Sequence, residues 1–357
     1  MSANDFDSYR PPEEPRRKRK RKNPKRMGGG RDSILPTFEF ESYYGSPVVK
    51  APPWEWPIPT YLALGGVAGG SALLACGAMA TGRRKMLRST RLAAIAAGAA
   101  GSLMLVADLG RPERLLNMFR VFKLSSPMSV GSWILGGFGG MSGIACLKEL
   151  DEMTGESLPR PRFGRRAAPA VAGPATIGAG VLGGPLAVYT SVLLADTSNP
   201  AWNAMRHRLP YVFVSSATLA ASGLAMVTTP VKETGPARGL AVAGAACELA
   251  AMKALEKSMD PVAAEPMHEG DPGALLRWSE IAAITGACAT VVAGRSRTGA
   301  ALAGASLVAA SVLTRFGIFG AGIESVKNPR YTVVPQKRRL AERRAAGDVA
   351  DSITTAS

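Results

Sequence analysis

The sequence predicts an all-α integral membrane protein that crosses the bilayer about eight times. Three observations carry this reading. Of 357 residues, 46% are hydrophobic and only 20% are charged. The charges crowd into the two ends and the short connectors, while long Ala, Gly, Leu and Val stretches carry almost none. Those stretches recur at lengths close to the roughly 20 residues that cross a bilayer core at about 1.5 Å per residue. Most are rich in Ala and Gly rather than Leu, as in membrane helices that pack backbone to backbone through small residues. The same segregation excludes a soluble globule, a disulfide-bonded secreted domain and a disordered chain.

In chain order, residues 1–35 read as a basic disordered tail. Nine of the eleven residues from Arg16 to Arg26 are basic, and Gly28, Gly29 and Gly30 follow. No apolar core or small-residue cleavage site makes this a signal peptide. Residues 36–56 differ, with Phe38, Phe40, Tyr43, Tyr44, Trp54 and Trp56 set among prolines. They read as an extended arm lying on the membrane interface or on a partner subunit. Residues 57–321 form the membrane domain, with spans at 58–80, 91–107, 130–147, 168–195, 209–229, 236–255, 275–293 and 298–321. Residues 322–357 read as a basic C-terminal tail. The run Gly65-Gly66-Val67-Ala68-Gly69-Gly70 looks superficially like a phosphate-cradling loop, but no strand precedes it, so it reads as a helix-packing face.

The formal net charge is +16. In a soluble protein that excess would suggest nucleic acid. Here the cations flank apolar spans, where they set topology and meet anionic lipid, so membrane lipid is expected as a partner and nucleic acid is not. Eight spans place both tails on one side, together with the connectors 108–129, 196–208 and 256–274. The short connectors put more Lys and Arg, Arg91 among them, on the opposite side. The tails, with Arg315 counted in the C-terminal one, oppose that bias. Carrying Arg16–Arg26 across a membrane without a signal is costly, which favours tails inside.

Cys76, Cys146, Cys247 and Cys288 each lie inside an apolar run, and none forms a Cys-x-x-Cys pair. No iron–sulfur cluster or other metal site is expected in this chain. The two histidines, His207 and His268, fall in connectors, so the His pairs that hold haem inside helices are missing.

Three places could carry chemistry. Asp108 ends the second span and Arg111 follows it. A carboxylate beside an arginine at a membrane boundary can pass protons to a redox ligand, or can simply form an interfacial ion pair. Tyr189-Thr190-Ser191 and Arg206-His207-Arg208 bracket the connector 196–208, where His207 can titrate near neutrality or merely join a capped helix end. Glu248 and Glu280 lie within spans, with Lys253 near an end. Glu248 reads as a proton relay or as a hydrogen-bonded structural carboxylate.

At these residues the chain resembles a known family. Trp54-Glu55-Trp56-Pro57 through Tyr61 to Ser71 resembles the first-span signature of the polysulfide reductase membrane-subunit (NrfD) family. Asp108-Leu109-Gly110-Arg111-Pro112, Asn117 and Ser126-Pro127-Met128-Ser129-Val130-Gly131-Ser132-Trp133 resemble its second signature, and Tyr189–Leu194 with Pro200-Ala201-Trp202 and Arg208-Leu209-Pro210 its third.

The resemblance implies eight helices in two four-helix bundles and no haem. It implies docking onto a ferredoxin-like iron–sulfur subunit, which serves a molybdopterin catalytic subunit of the polysulfide reductase or formate dehydrogenase kind. It also implies electron and proton exchange with a membrane quinone, menaquinone or ubiquinone, in a bacterial cell membrane. By position, Trp56 and Tyr61 at the start of the first span, Asp108 and Tyr189 would line or approach the quinone; from the residues themselves His207 joins them as a candidate, with Asp108, Arg111 and Glu248 as the candidates for handling protons. No histidine lies near the first signature, where some relatives carry one. A secondary transporter or a purely structural anchor would use the same spans, although no internal repeat of the transporter kind is visible.

Overall fold

The computed structural model describes residues 47–154 and 162–347. The expected tail 1–35, residues 36–46 of the arm and residues 348–357 lie outside the described residues. The described chain belongs to one compact unit, Ser42–Ser357.

Among the described residues eleven α-helices follow one another: α1 Pro57–Ala80, α2 Arg84–Asp108, α3 Pro127–Met153, α4 Arg162–Ala195, α5 Pro200–Met205, α6 Leu209–Thr228, α7 Gly235–Ser258, α8 Pro261–Ala264, α9 Gly270–Ala293, α10 Arg297–Lys327 and α11 Arg330–Ala345. Short 3-10 segments cover Pro112–Phe119, Val231–Glu233 and Glu265–Met267. No strand occurs among the described residues. Proline marks the first turn of α1, α3, α5, α6, α7 and α8, where its missing N–H and fixed φ cost nothing. Ser126 and Ser296 cap α3 and α10 by accepting from Ser129 N and Gly299 N.

Among the described residues, seven helices are long and apolar enough to cross a membrane: α1, α2, α3, α4, α6, α9 and α10. The expected sixth span, α7, is a full-length helix but carries Arg238, Glu248, Lys253, Glu256 and Lys257. It is therefore less apolar than the others, and the expected eight spans stand at seven on length and composition.

Small residues decide the packing. α1 touches α2, α4, α6 and α10. A Cβ added at Gly69 would fall 2.3 Å from Gly183 O of α4, and one at Gly70 would fall 2.7 Å from Ala217 O of α6. The α6–α10 crossing repeats the device, with Gly223 and Gly304 each facing the other's carbonyl oxygen. Backbones approach this closely only where at least one of the two helices lacks a side chain. Gly69→Ala is therefore expected to lower the thermal unfolding midpoint in detergent, at an overpacking cost of about 1–3 kcal/mol. Gly65→Ala, where nothing lies within 4 Å, should leave the midpoint unchanged.

Two expectations from charge placement are corrected. Arg91, expected as a connector charge, is buried inside α2, because a carboxylate on the neighbouring α3 receives it: Nη1 lies 2.6 Å from Glu149 Oε1. Its Nε donates to Thr176 Oγ1 of α4 at 2.9 Å. Arg315, expected at the start of the tail charges, is fully buried in α10. The helix expected over 298–321 runs on to Lys327 as α10. The C-terminal segment is then helical through α11, tied to the connector after α7 by Arg330–Glu265 (2.8 Å) and Arg338–Asp260 (2.7 Å).

Candidate functional site

Two tyrosines lie where α1–α4 approach the connector 108–129. Tyr61 of α1 is 1% exposed, and its ring packs over Gly101 of α2, where an added Cβ would be 3.4 Å from Cδ2. Tyr189 of α4 is half-buried and lies against Gly131 of α3, where an added Cβ would sit 2.1 Å from Cε2. The glycine of the second signature thus makes room for the tyrosine of the third. Both rings share one apolar cluster with Ile58, Met104, Leu105 and Leu135. The Tyr61 hydroxyl is buried and has no hydrogen-bond partner among the described residues. An unsatisfied buried hydroxyl costs about 1–3 kcal/mol.

Asp108 is half-buried and is the last residue of α2, one turn beyond Met104 and Leu105. Gly110, at φ +69°, then reverses the chain into the 3-10 segment. Phe119 and Phe122 meet Trp133 of α3 edge-on, at 5.8 and 6.1 Å between centroids, and hold this connector against the helix. Arg111 is exposed on it. Trp56 precedes α1 at the same end and is 61% exposed, as an interfacial anchor would be. Trp54 stacks on Trp202 of α5 at 5.8 Å, and Trp202 Nε1 donates to Ile318 O of α10 at 2.9 Å. This part of the arm is therefore seated on its own chain.

Trp56, Tyr61, Asp108, Arg111 and Tyr189 thus gather at one end of α1–α4. His207 and Glu248 line two other cavities. His207 is exposed on a cavity of about 490 Å³ shared with Asp260 and with Tyr331 and Arg339 of α11, and its Nε2 accepts from Arg206 Nε at 3.1 Å. Glu248 is buried at the inner end of a cavity of about 180 Å³. The sequence reading missed its neighbours Arg315, Thr314 and Ser279. A lone arginine in the apolar run 298–321 was the available signal. Among the described residues, no group of three or more His, Cys, Asp or Glu is placed to hold a metal ion.

No curated protein matches the chain. Among family models, that of the polysulphide reductase NrfD family matches residues 47–233. The match covers more than half of the chain, from the arm through α6, and includes all three signatures, both tyrosines and Asp108. The chain is a multi-pass membrane protein that belongs to the polysulphide reductase NrfD family.

Proposed function

We propose that this chain is the quinone-reactive membrane subunit of a multi-subunit oxidoreductase in a bacterial cell membrane. It exchanges electrons between an iron–sulfur partner subunit and menaquinone or ubiquinone, with a molybdopterin subunit behind the partner. The observation that carries this is the buried, unpartnered Tyr61 hydroxyl in an apolar setting, close to the end of a helix that stops at Asp108. A quinone ring needs an apolar slot with a donor at a carbonyl oxygen, and its two-electron reduction needs two protons. Tyr61 supplies the donor, and Tyr189 supplies a wall. Asp108 holds or releases a proton at the slot's mouth. Arg111, exposed on the connector after it, marks the route to bulk water. Trp56 anchors this end at the headgroup level. His207 stands on the connector face, available to the docking partner. The electrons come from a cluster outside this chain.

In this reading α7 is the eighth span, with Glu248 turned toward protein and Arg238, Lys253, Glu256 and Lys257 near its two ends. α1–α4 and α6, α7, α9 and α10 then form two four-helix bundles. The support is that α7 packs on α6 and α9, while α1 joins the two groups through α6 and α10.

The test is binding of a naphthoquinone analogue to the purified chain, followed by quenching of tryptophan fluorescence. Tyr61→Phe removes one hydrogen bond worth about 0.5–1.5 kcal/mol, so affinity should fall up to about tenfold with the fold unchanged. Equal affinity in the variant would remove the hydroxyl from the site. Purification in mild detergent with identification of the copurifying chains tests the partner assignment.

A further inference from the structure

Glu248 precedes the end of α7 at Ser258 by ten residues (258 − 248), about 15 Å of helix rise, or half of a bilayer core about 30 Å thick. It is 3% exposed. Its Oε1 accepts from Thr314 Oγ1 of α10 at 2.7 Å, and the Ser279 hydroxyl of α9 lies 2.6 Å from that of Thr314. The next residue of α10, Arg315, is fully buried. Its Nη2 donates to Phe213 O of α6 at 2.7 Å, and its guanidinium carbon sits 3.6 Å from the centroid of the Phe213 ring. Gly66 of α1 makes room for that guanidinium, since an added Cβ would lie 3.2 Å from Nη2.

The two buried charges do not hydrogen-bond to each other. Glu248 Oε2, Arg315 Nε and Arg315 Nη1 have no hydrogen-bond partner among the described residues. A carboxylate and a guanidinium at this depth are costly unless their polar atoms are satisfied. The adjoining cavity provides the means for Glu248, which lines it. At about 180 Å³ it has room for several waters. Its inner end is Glu248, Ser279 and Thr314. Its outer end carries Lys253 and Glu256 of α7, Arg277 and Glu280 of α9, and His268 of the connector before α9. Both charge signs at that opening keep it wet.

We propose that Glu248 is a proton-binding site at mid-depth, loaded through this cavity from the connector end, with Arg315 as the fixed cation that balances it when the proton leaves. A cavity hydronium gives its proton to Glu248 Oε2, leaving a neutral carboxylic acid and a water, and the reverse step releases the proton the same way. No electron moves. The site lies outside the family-matched residues 47–233 and lines a different cavity from any that reaches Tyr61 or Asp108. It does not depend on the quinone reading. Its occupancy follows the pH on the connector side, so the second half of the chain can take up charge on its own.

The full-length chain in lipid vesicles tests this by infrared spectroscopy across a pH titration. A protonated-carboxyl C=O band should appear as pH falls, shift on transfer to D2O, and vanish in Glu248→Gln but persist in Asp108→Asn. Met252→Trp, which fills the cavity below Glu248 with an apolar plug, should keep the band and slow its D2O shift at least tenfold. A band unchanged by Glu248→Gln, or exchange equally fast in Met252→Trp, overturns the proposal. Because removing the carboxylate strands Arg315, the wild-type chain supplies a second measurement. Dicyclohexylcarbodiimide, which reacts with protonated carboxyls in apolar surroundings, should label the Glu248 peptide increasingly as pH falls. A Glu248 peptide that stays unlabelled at every pH also overturns it.

Discussion

Asp108→Asn is expected, on the proposed quinone function, to cut quinone-linked turnover by roughly 10²–10⁴-fold, the usual worth of a positioned acid or base, while leaving the subunit assembled. The variant keeps size and hydrogen bonding but cannot carry a proton at neutral pH. Helix position makes the expectation sharp. Asp108 is the last residue of α2, at the negative end of the helix dipole, where a carboxylate is disfavoured by about 0.3–1 kcal/mol. A neutral Asn there should leave the thermal midpoint unchanged or slightly raised. Turnover of an artificial dye at the partner's catalytic site should survive, because those electrons never reach this chain. Both activities are measured on one membrane preparation. If they fall together with the amount of assembled complex, Asp108 is a structural residue. Full quinone turnover in an assembled variant takes it out of the mechanism.

Much of the architecture was legible because membrane helices announce themselves by length and apolarity. All eight expected spans are helices, and prolines at their first turns set several starts within a few residues. The small-residue reading of Gly65–Gly70 also holds, since Gly69 and Gly70 sit against carbonyls of α4 and α6. What sequence could not give was partnership across distance. Arg91 looked like a flanking cation, because Glu149 and Thr176, which bury it, lie 58 and 85 residues away. Arg297, likewise at the edge of a short connector, donates to Met226 O and Thr229 O at the end of α6 and satisfies carbonyls left over there. Counting such residues as free loop charges inflates one side of the topology balance. The segment of α11 reads as tail because it is strongly basic, and as a helix it holds Pro335 in its interior. Contacts with Asp260 and Glu265 hold it in place regardless. At the candidate site, motif order brought out Tyr61, Asp108 and Tyr189. Only coordinates could show that Gly131 is the seat of Tyr189 and that His207 and Glu248 belong to other cavities.

The second large effect is structural and lies toward the opposite end of α2. Arg91 and Glu149 have side chains only 6% and 10% exposed, and the guanidinium uses all three nitrogens: Nη1 to Glu149, Nε to Thr176 Oγ1 and Nη2 to Ala172 O. One side chain thereby ties α2 to both α3 and α4. Glu149→Ala strands a buried cation, for which the expected cost is about 3–5 kcal/mol. It should appear as a large drop in the thermal midpoint in detergent and in the yield of folded protein. Removing both charges with apolar residues of similar volume, Arg91→Met with Glu149→Leu, should recover much of that loss, because the penalty comes from the unpaired charge rather than from the missing attraction. The double-mutant cycle therefore gives a large coupling term, unlike that of two distant substitutions, which simply add. Its functional signature is opposite to that of Asp108→Asn: quinone and dye turnover should fall in parallel with the amount of assembled subunit, at unchanged activity per folded molecule. A Glu149→Ala chain with an unaltered midpoint would mean that water reaches Arg91, and the pair would then count as surface electrostatics worth about 0–1 kcal/mol.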